Sequence, residues 1–112
     1  MDHENKKALQ REILLGFWKV HILHHAAQGP VVGQWMIREL RGHGYEVSPG
    51  TMYPLLARLE HLGWLKQCTD SVSGQGTRKE YELTEKGLKT LTFLQDQVAE
   101  LYREVVLGED SL

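Results

Sequence analysis

The chain has 112 residues, of which 41% are hydrophobic and 25% are charged, a composition typical of one folded domain. Its single cysteine, Cys68, excludes an intramolecular disulfide and a metal site built from cysteines alone. No apolar run is long enough to cross a bilayer, and the first residues lack the hydrophobic stretch of a signal peptide, so we expect a cytoplasmic protein with no membrane partner.

The formal net charge of -2 is unevenly distributed along the chain. Up to Lys79 there are ten basic and seven acidic residues, a balance of +3, which leaves -5 for the remainder. The positive first part of the chain is suited to contact with phosphates, and the acidic tail is suited to a position that faces away from them. Ordinary solvated surfaces explain the charges alone equally well.

The first predicted element is an amphipathic helix over about residues 7–27, where apolar side chains recur at steps of three and four. Gly29 and Pro30 end it. A second helix of about three turns contains Met36, Ile37 and Leu40 and ends at the glycines that follow.

A third helix is predicted from its start signals. Ser48 can cap free backbone amides, and Pro49 suits the first helical position because its missing N–H costs nothing there. Apolar residues between positions 52 and 62 share one face, and Gly63 supplies a left-handed stop. Pro54 leaves one alternative open, in which the helix begins only at that residue.

Two extended segments, at about 64–69 and 77–83, flank the polar, glycine-rich segment 71–76 and predict a β-hairpin. Alternation is clear only in the second strand, where Lys79, Tyr81 and Leu83 oppose charged neighbours.

The last predicted element is a helix capped by Thr84 that ends near Val106. Since so short a chain cannot cover both terminal helices, we expect a homodimer in which Phe17 and a coiled-coil seam of the last helix are buried between chains. Five residues form this seam, at alternating steps of three and four: Leu91, Leu94, Val98, Leu101 and Val105.

The element order is that of a winged helix-turn-helix, in which the third helix enters the DNA major groove and the hairpin reaches the flanking backbone. We therefore expect a mainly α chain with a small β-hairpin. Residues 1–83 would form the DNA-binding domain and residues 84–112 a dimerisation helix. Winged helices also dock proteins, so a docking module that does not bind DNA is the alternative.

The segment from Val47 to Gly63, VSPGTMYPLLARLEHLG, resembles the recognition segment of the PadR family of transcriptional regulators. Gly29-Pro30 with Gly33 is similar to the family's turn into its second helix, and residues 77–87, TRKEYELTEKG, to its wing strand and the entry to its last helix. The resemblance, to the compact form with a single C-terminal helix, implies a repressor that binds a palindromic operator as a homodimer.

On this interpretation Tyr53 can hydrogen-bond a phosphate or base edge, Thr51 can touch a thymine methyl or a phosphate, and Arg58 can neutralise backbone charge. The alternatives are a surface ion pair for Arg58, with Glu60 or Glu39, and a position at the domain rim for Tyr53. The predicted DNA contacts are six: Ser48, Thr51, Tyr53, Arg58, Arg78 and Lys79.

His21, His24 and His25 share one flank of the first helix, a spacing that metal sites use, although packing at an interface is the favoured explanation. We therefore assign no metal or cofactor. The sequence shows no phosphate-cradling glycine loop, no nucleophile elbow and no paired carboxylates for a cleft, so we do not expect an enzyme.

A regulator of one domain has its dimer interface as the place for an effector, and the resemblance makes a small aromatic molecule plausible there. Four aromatic residues near the expected interface are candidates to line a cleft between chains: Phe17, Trp18, Phe93 and Tyr102. Ordinary interface packing is the alternative.

Overall fold

A computed structural model describes residues 1–68 and 79–109 of the chain. In chain order the elements are α1 (His3–Leu9), a π-helical turn (Gln10–Leu14), α2 (Leu15–Ala26), β1 (Val31–Val32), α3 (Gly33–Gly42), α4 (Pro49–His61), β2 (Leu65–Gln67), β3 (Glu80–Leu83) and α5 (Glu85–Val105). Arg78 and the predicted loop 71–76 lie outside the described residues. None of the helices within the described ranges combines the length and apolar character needed to span a bilayer.

The N-terminal helix begins earlier than the periodicity predicted. It starts at His3 because Asp2 adopts an extended backbone and its carboxylate accepts a 2.8 Å hydrogen bond from the Asn5 N–H. In the described structure neither α1 nor the π-helical turn contains a buried residue. This first part of the helix is therefore held at the surface, and only α2 enters the core.

The sheet has three strands in the order β1-β3-β2, one more than the predicted hairpin. β1 pairs antiparallel with β3, with Val31 opposite Tyr81, and β2 pairs with the other edge of β3, with Leu65 opposite Leu83. β1 was missed because two residues are too short for a period of two to be visible. It joins the start of α3 to the base of the hairpin.

The core lies between α2, α3, α4 and the sheet, and it includes one buried residue of α5, Leu91. Its largest fully buried side chains are Trp18, Ile22, Leu23, Met36, Leu40, Met52, Leu56 and Leu59. Beyond Leu94 every described residue of α5 is exposed in the single chain. The first two turns of α5 thus belong to the core, while the rest of the helix extends away from it.

The end of α4 and the start of α5 meet at one hydroxyl group. Thr84 Oγ1 donates a 2.6 Å hydrogen bond to the Gly63 carbonyl and accepts a 2.9 Å bond from the Gly87 N–H, which confirms the predicted cap. Gly63 has φ +83°, the predicted left-handed stop of α4. Lys86 Nζ donates a 3.1 Å hydrogen bond to the Leu62 carbonyl. The start of α5 thus bonds the carbonyls of two consecutive residues, Leu62 and Gly63.

Gly87 lies directly against the backbone of Trp64. A Cβ placed on Gly87 would fall on the Trp64 carbonyl oxygen and only 2.9 Å from its carbon. Since this neighbour is backbone, it cannot turn aside as a side chain would. The close approach of α5 to Trp64, the residue immediately before β2, therefore requires glycine.

We expect Gly87→Ala to lower the free energy of unfolding by about 1–3 kcal/mol, the usual cost of an added methyl group in a filled site. Urea unfolding followed by circular dichroism, at one fixed protein concentration, measures this cost. The matched control is Gly42→Ala, because no described atom lies within 4 Å of a Cβ placed on Gly42. Equal stability of the two variants would contradict the close packing at Gly87.

Candidate nucleic-acid interface

Helix α4 presents one exposed face, opposite its core side. Four residues form the core side: Met52, Leu55, Leu56 and Leu59. At about 3.6 residues per turn, the centre of the exposed face is occupied by Gly50, Pro54 and Ala57 over the first turns and by His61 in the last turn. Tyr53 lies at one flank of this face, and Thr51 and Arg58 lie at the other. Because the central side chains of the first turns are short, a partner can approach the helix backbone closely there.

The start of α4 differs from the prediction in one detail. Pro49 occupies the first turn as predicted, but within the described chain the Ser48 side chain forms no cap to a backbone amide. Its hydroxyl instead bonds to Thr51 Oγ1 at 3.3 Å. The helix runs unbroken through Pro54, so the alternative in which it begins there is wrong.

The ring of Tyr53 lies against Gly33, the first residue of α3. A Cβ placed on Gly33 would be 2.9 Å from Tyr53 Cζ and 3.1 Å from its Cδ1, so a larger residue at position 33 would displace the ring from this position. Tyr53 nevertheless keeps 44% of its surface exposed. The contact fixes Tyr53 at the junction of the two helices of the helix-turn-helix. The sequence showed Gly33 only as a turn residue, since no pattern in one sequence reveals which distant ring a glycine contacts.

Arg58 is exposed and is not held by either of the carboxylates considered for it. Within the described residues no ion pair joins Arg58 to Glu60 or Glu39. Glu60 accepts a 3.1 Å hydrogen bond from Gln67 Nε2, and Glu39 lies 3.2 Å from His43 Nε2. The guanidinium therefore stays available to a partner of α4.

The base of the wing is held by β3. Tyr81 is buried, and its burial raises the pKa of its hydroxyl, with the Glu60 carboxylate and Tyr53 acting in the same direction. On the outer face Lys66 and Glu82 are opposed in the ladder and form a 3.2 Å ion pair. Lys79 is exposed just before β3, whereas the other predicted wing contact, Arg78, is outside the described residues.

Of the three histidines of α2, His25 packs against α3. His25 Nε2 lies 3.8 Å from the Glu39 carboxylate, and its ring meets Trp35 edge to face at 5.1 Å between centroids. Burial lowers the pKa of His21 and of His25, and neighbouring histidines add to both effects. Among residues 1–68 and 79–109 no group of three histidine, cysteine or acidic side chains is placed to hold a metal ion.

An apolar groove of about 670 Å³ lies between α2 and α5. Phe17, Val98, Leu101 and Tyr102 line it, and each of them is about half exposed in the single chain. Val105, the last predicted seam residue, is 68% exposed at the end of the same helix. An uncovered apolar strip of this kind is typical of a surface that binds a partner.

Four residues predicted for the interface or its cleft are not part of this exposed strip in the single chain. Leu91 lines the groove but is buried in the chain's own core, and Leu94 is partly buried against that core. Trp18 is 1% exposed and packs edge to face on Tyr45, away from the groove. Phe93 is 63% exposed but does not line the groove. The proposed cleft therefore retains Phe17 and Tyr102.

Comparison with known families gives one clear match. The profile described as "Transcriptional regulator PadR-like family" matches residues 22–92, a range from α2 into α5 that includes the helix-turn-helix and the described part of the wing. Over 99 residues the chain is 44% identical to "Transcriptional regulator Rv3488" of Mycobacterium tuberculosis, with 88% of this chain and 92% of that protein covered.

Solved structures share the same architecture. A PadR-like transcription factor from Bacteroides fragilis superposes with a TM-score of 0.71 at 31% identity, covering 94% of this chain and 99% of that one. A PadR-like transcriptional regulator from Bacillus cereus gives a TM-score of 0.73 at 26% identity, covering 92% and 99%. The predicted winged helix-turn-helix fold is thereby confirmed, as is the resemblance from which it was partly inferred.

The contact between Tyr53 and Gly33 predicts strong coupling in a double-mutant cycle. Gly33→Ala should destabilise the chain by about 1 kcal/mol, at the low end of the range for added methyl groups because the half-exposed ring can turn outward. In a Tyr53→Ala background the same change should be neutral or stabilising, since the conflict is gone. Urea unfolding of the four proteins measures the coupling. An identical cost of Gly33→Ala in both backgrounds would refute the contact.

Proposed function

This chain belongs to the PadR-like family of transcriptional regulators, a family of regulators and not of enzymes, and we propose that it binds double-stranded DNA as a homodimer with α4 in the major groove. The observation that carries the proposal is the exposed face of α4, with short side chains at its centre and Tyr53 fixed at its edge by Gly33. Such a role would place the protein in the cytoplasm.

The dimensions of DNA suit this face. A major groove about 12 Å wide admits one α-helix, provided that its side chains allow the backbone to approach the base edges. Gly50, Pro54 and Ala57 meet this condition. Thr51 and Arg58 then point toward one bordering strand and Tyr53 toward the other, where donors to phosphates and base edges are needed. Ser48, Arg78 and Lys79 complete the proposed contacts from the helix start and the wing.

We expect Tyr53→Ala to weaken binding to a selected duplex about tenfold or more, the effect of losing about 1–3 kcal/mol of discrimination, and to change binding to random duplex much less. The selected duplex comes from bound fragments of a randomised pool, and fluorescence anisotropy measures both affinities. Tyr53→Phe keeps the ring against Gly33 and removes only the hydroxyl, so it separates the contribution of the hydroxyl to binding from that of the ring. Lack of any salt-dependent affinity for duplex DNA in the unsubstituted chain would favour the protein-docking alternative.

The second part of the proposal is that two copies cover the groove between α2 and α5. The exposed residues Phe17, Val98, Leu101 and Val105 form one apolar strip, and the seam spacing of the last three suits a second α5. An isologous dimer buries the strip of both copies at once and presents two identical α4 helices. Its operator would then be two-fold symmetric, with half-sites about one helical turn apart.

Val98→Glu should raise the dimer dissociation constant at least about a hundredfold, because each copy would bury an unpaired carboxylate. Analytical ultracentrifugation over a concentration series measures the constant. The control is Gln97→Glu, the neighbouring exposed residue, which adds the same charge on the side of α5 that does not line the groove. Equal dissociation constants for the two variants would exclude this face as the dimer interface.

Repression is the regulatory outcome that we propose, since a protein of this size that occupies an operator can block access to it without further domains. A small aromatic effector would bind in the groove, where Phe17 and Tyr102 offer aromatic surface beside His21 and His24. It could release DNA only by binding more tightly to one spacing of the two α4 helices than to the other.

A further inference from the structure

A second open groove lies between the N-terminal helix and the first turn of α4. It has a volume of about 500 Å³, and its lining includes Lys7, Gln10 and Arg11 on one side and Gly50, Thr51 and Pro54 on the other. The second group belongs to the exposed face of α4 and to its Thr51 flank. The groove is therefore continuous with the surface proposed to enter DNA.

The groove has a positive rim. Lys7 and Arg11 are four residues apart and both line it, and among the described residues no carboxylate does. Arg11 Nε lies 3.3 Å from Glu12 Oε1, but both side chains are about two-thirds exposed, so this pair is weak and easily exchanged. Two cations beside the polar first turn of a helix can bind an anion that lies along this surface.

The position of these cations relative to Tyr53 indicates that the anion is a DNA phosphate. Tyr53 lies on the α3 side of the exposed face of α4, against Gly33, whereas Lys7 and Arg11 lie on the Thr51 side. A helix in the major groove is bordered by a phosphate backbone on each side. With α4 in the groove, Tyr53 would face one of these backbones, and the N-terminal helix would stand beside the other.

We propose that Lys7 and Arg11 bind phosphates of the DNA strand that borders α4 on its Thr51 side. The inference rests on the proposed function and adds a surface to it, since the N-terminal helix then contributes to DNA binding as well as to the dimer. Contacts of this kind fix the depth and direction of α4 without reading sequence.

The test uses the full chain and a fluorescently labelled duplex of random sequence, titrated by anisotropy over a series of salt concentrations. Lys7→Gln and Arg11→Gln are each expected to reduce the slope of log K against log salt by about 0.9, the value for one phosphate, and the double variant by about twice as much. Lys89→Gln is the matched control, because Lys89 is an exposed cation of α5 outside both grooves. Its slope should equal that of the unsubstituted chain.

Slopes of both single variants equal to that of Lys89→Gln would overturn the inference and leave the proposed function intact. Failure of the unsubstituted chain to bind duplex would overturn both. Since Lys7 and Arg11 are exposed, their replacement should leave the thermal unfolding curve unchanged, and the single variants keep the test decisive if the double variant loses structure.

Discussion

The hydroxyl of Thr84 joins the two functional halves of this molecule. It accepts the Gly87 N–H at the start of α5 and donates to the Gly63 carbonyl at the end of α4. The Thr84 N–H also donates to the Trp64 carbonyl at 3.1 Å, against which Gly87 packs. The end of the helix proposed to enter DNA is therefore fixed directly to the start of the helix proposed to form the dimer. In the proposed dimer, the spacing of the two α4 helices would follow from how the two α5 helices meet.

The local parts of this arrangement could be predicted from the sequence because their causes are local. Pro49 and Gly63 bound α4, and Thr84 caps α5, through interactions that span only a few residues. β1 could not be predicted, since its two residues become a strand only by pairing with Tyr81 and Glu80 far along the chain. The early start of α1 depends on one aspartate in a polar segment, where apolar periodicity carries no signal.

The candidate site was predictable in its residues but not in its contacts. Tyr53, Thr51 and Arg58 were found from motif and helix face, yet the role of Gly33 depends on two helices meeting in space. The seam of α5 shows the opposite limit. Apolar residues spaced by three and four identify the apolar side of a helix, but they do not show what covers that side. Leu91, which is buried within the chain, therefore cannot be told from the exposed Val98 in the sequence.

The short side chains at the centre of α4 have a consequence for how DNA would be distinguished. Gly50, Pro54 and Ala57 carry no side-chain hydrogen-bond donor or acceptor, so the first turns of the helix can form few bidentate contacts from the centre of this face, where His61 offers a polar side chain in the last turn. Discrimination would then depend on van der Waals contact with thymine methyl groups and on the deformability of the duplex, which varies between base-pair steps. Base pairs that the protein never touches would contribute to its choice of operator.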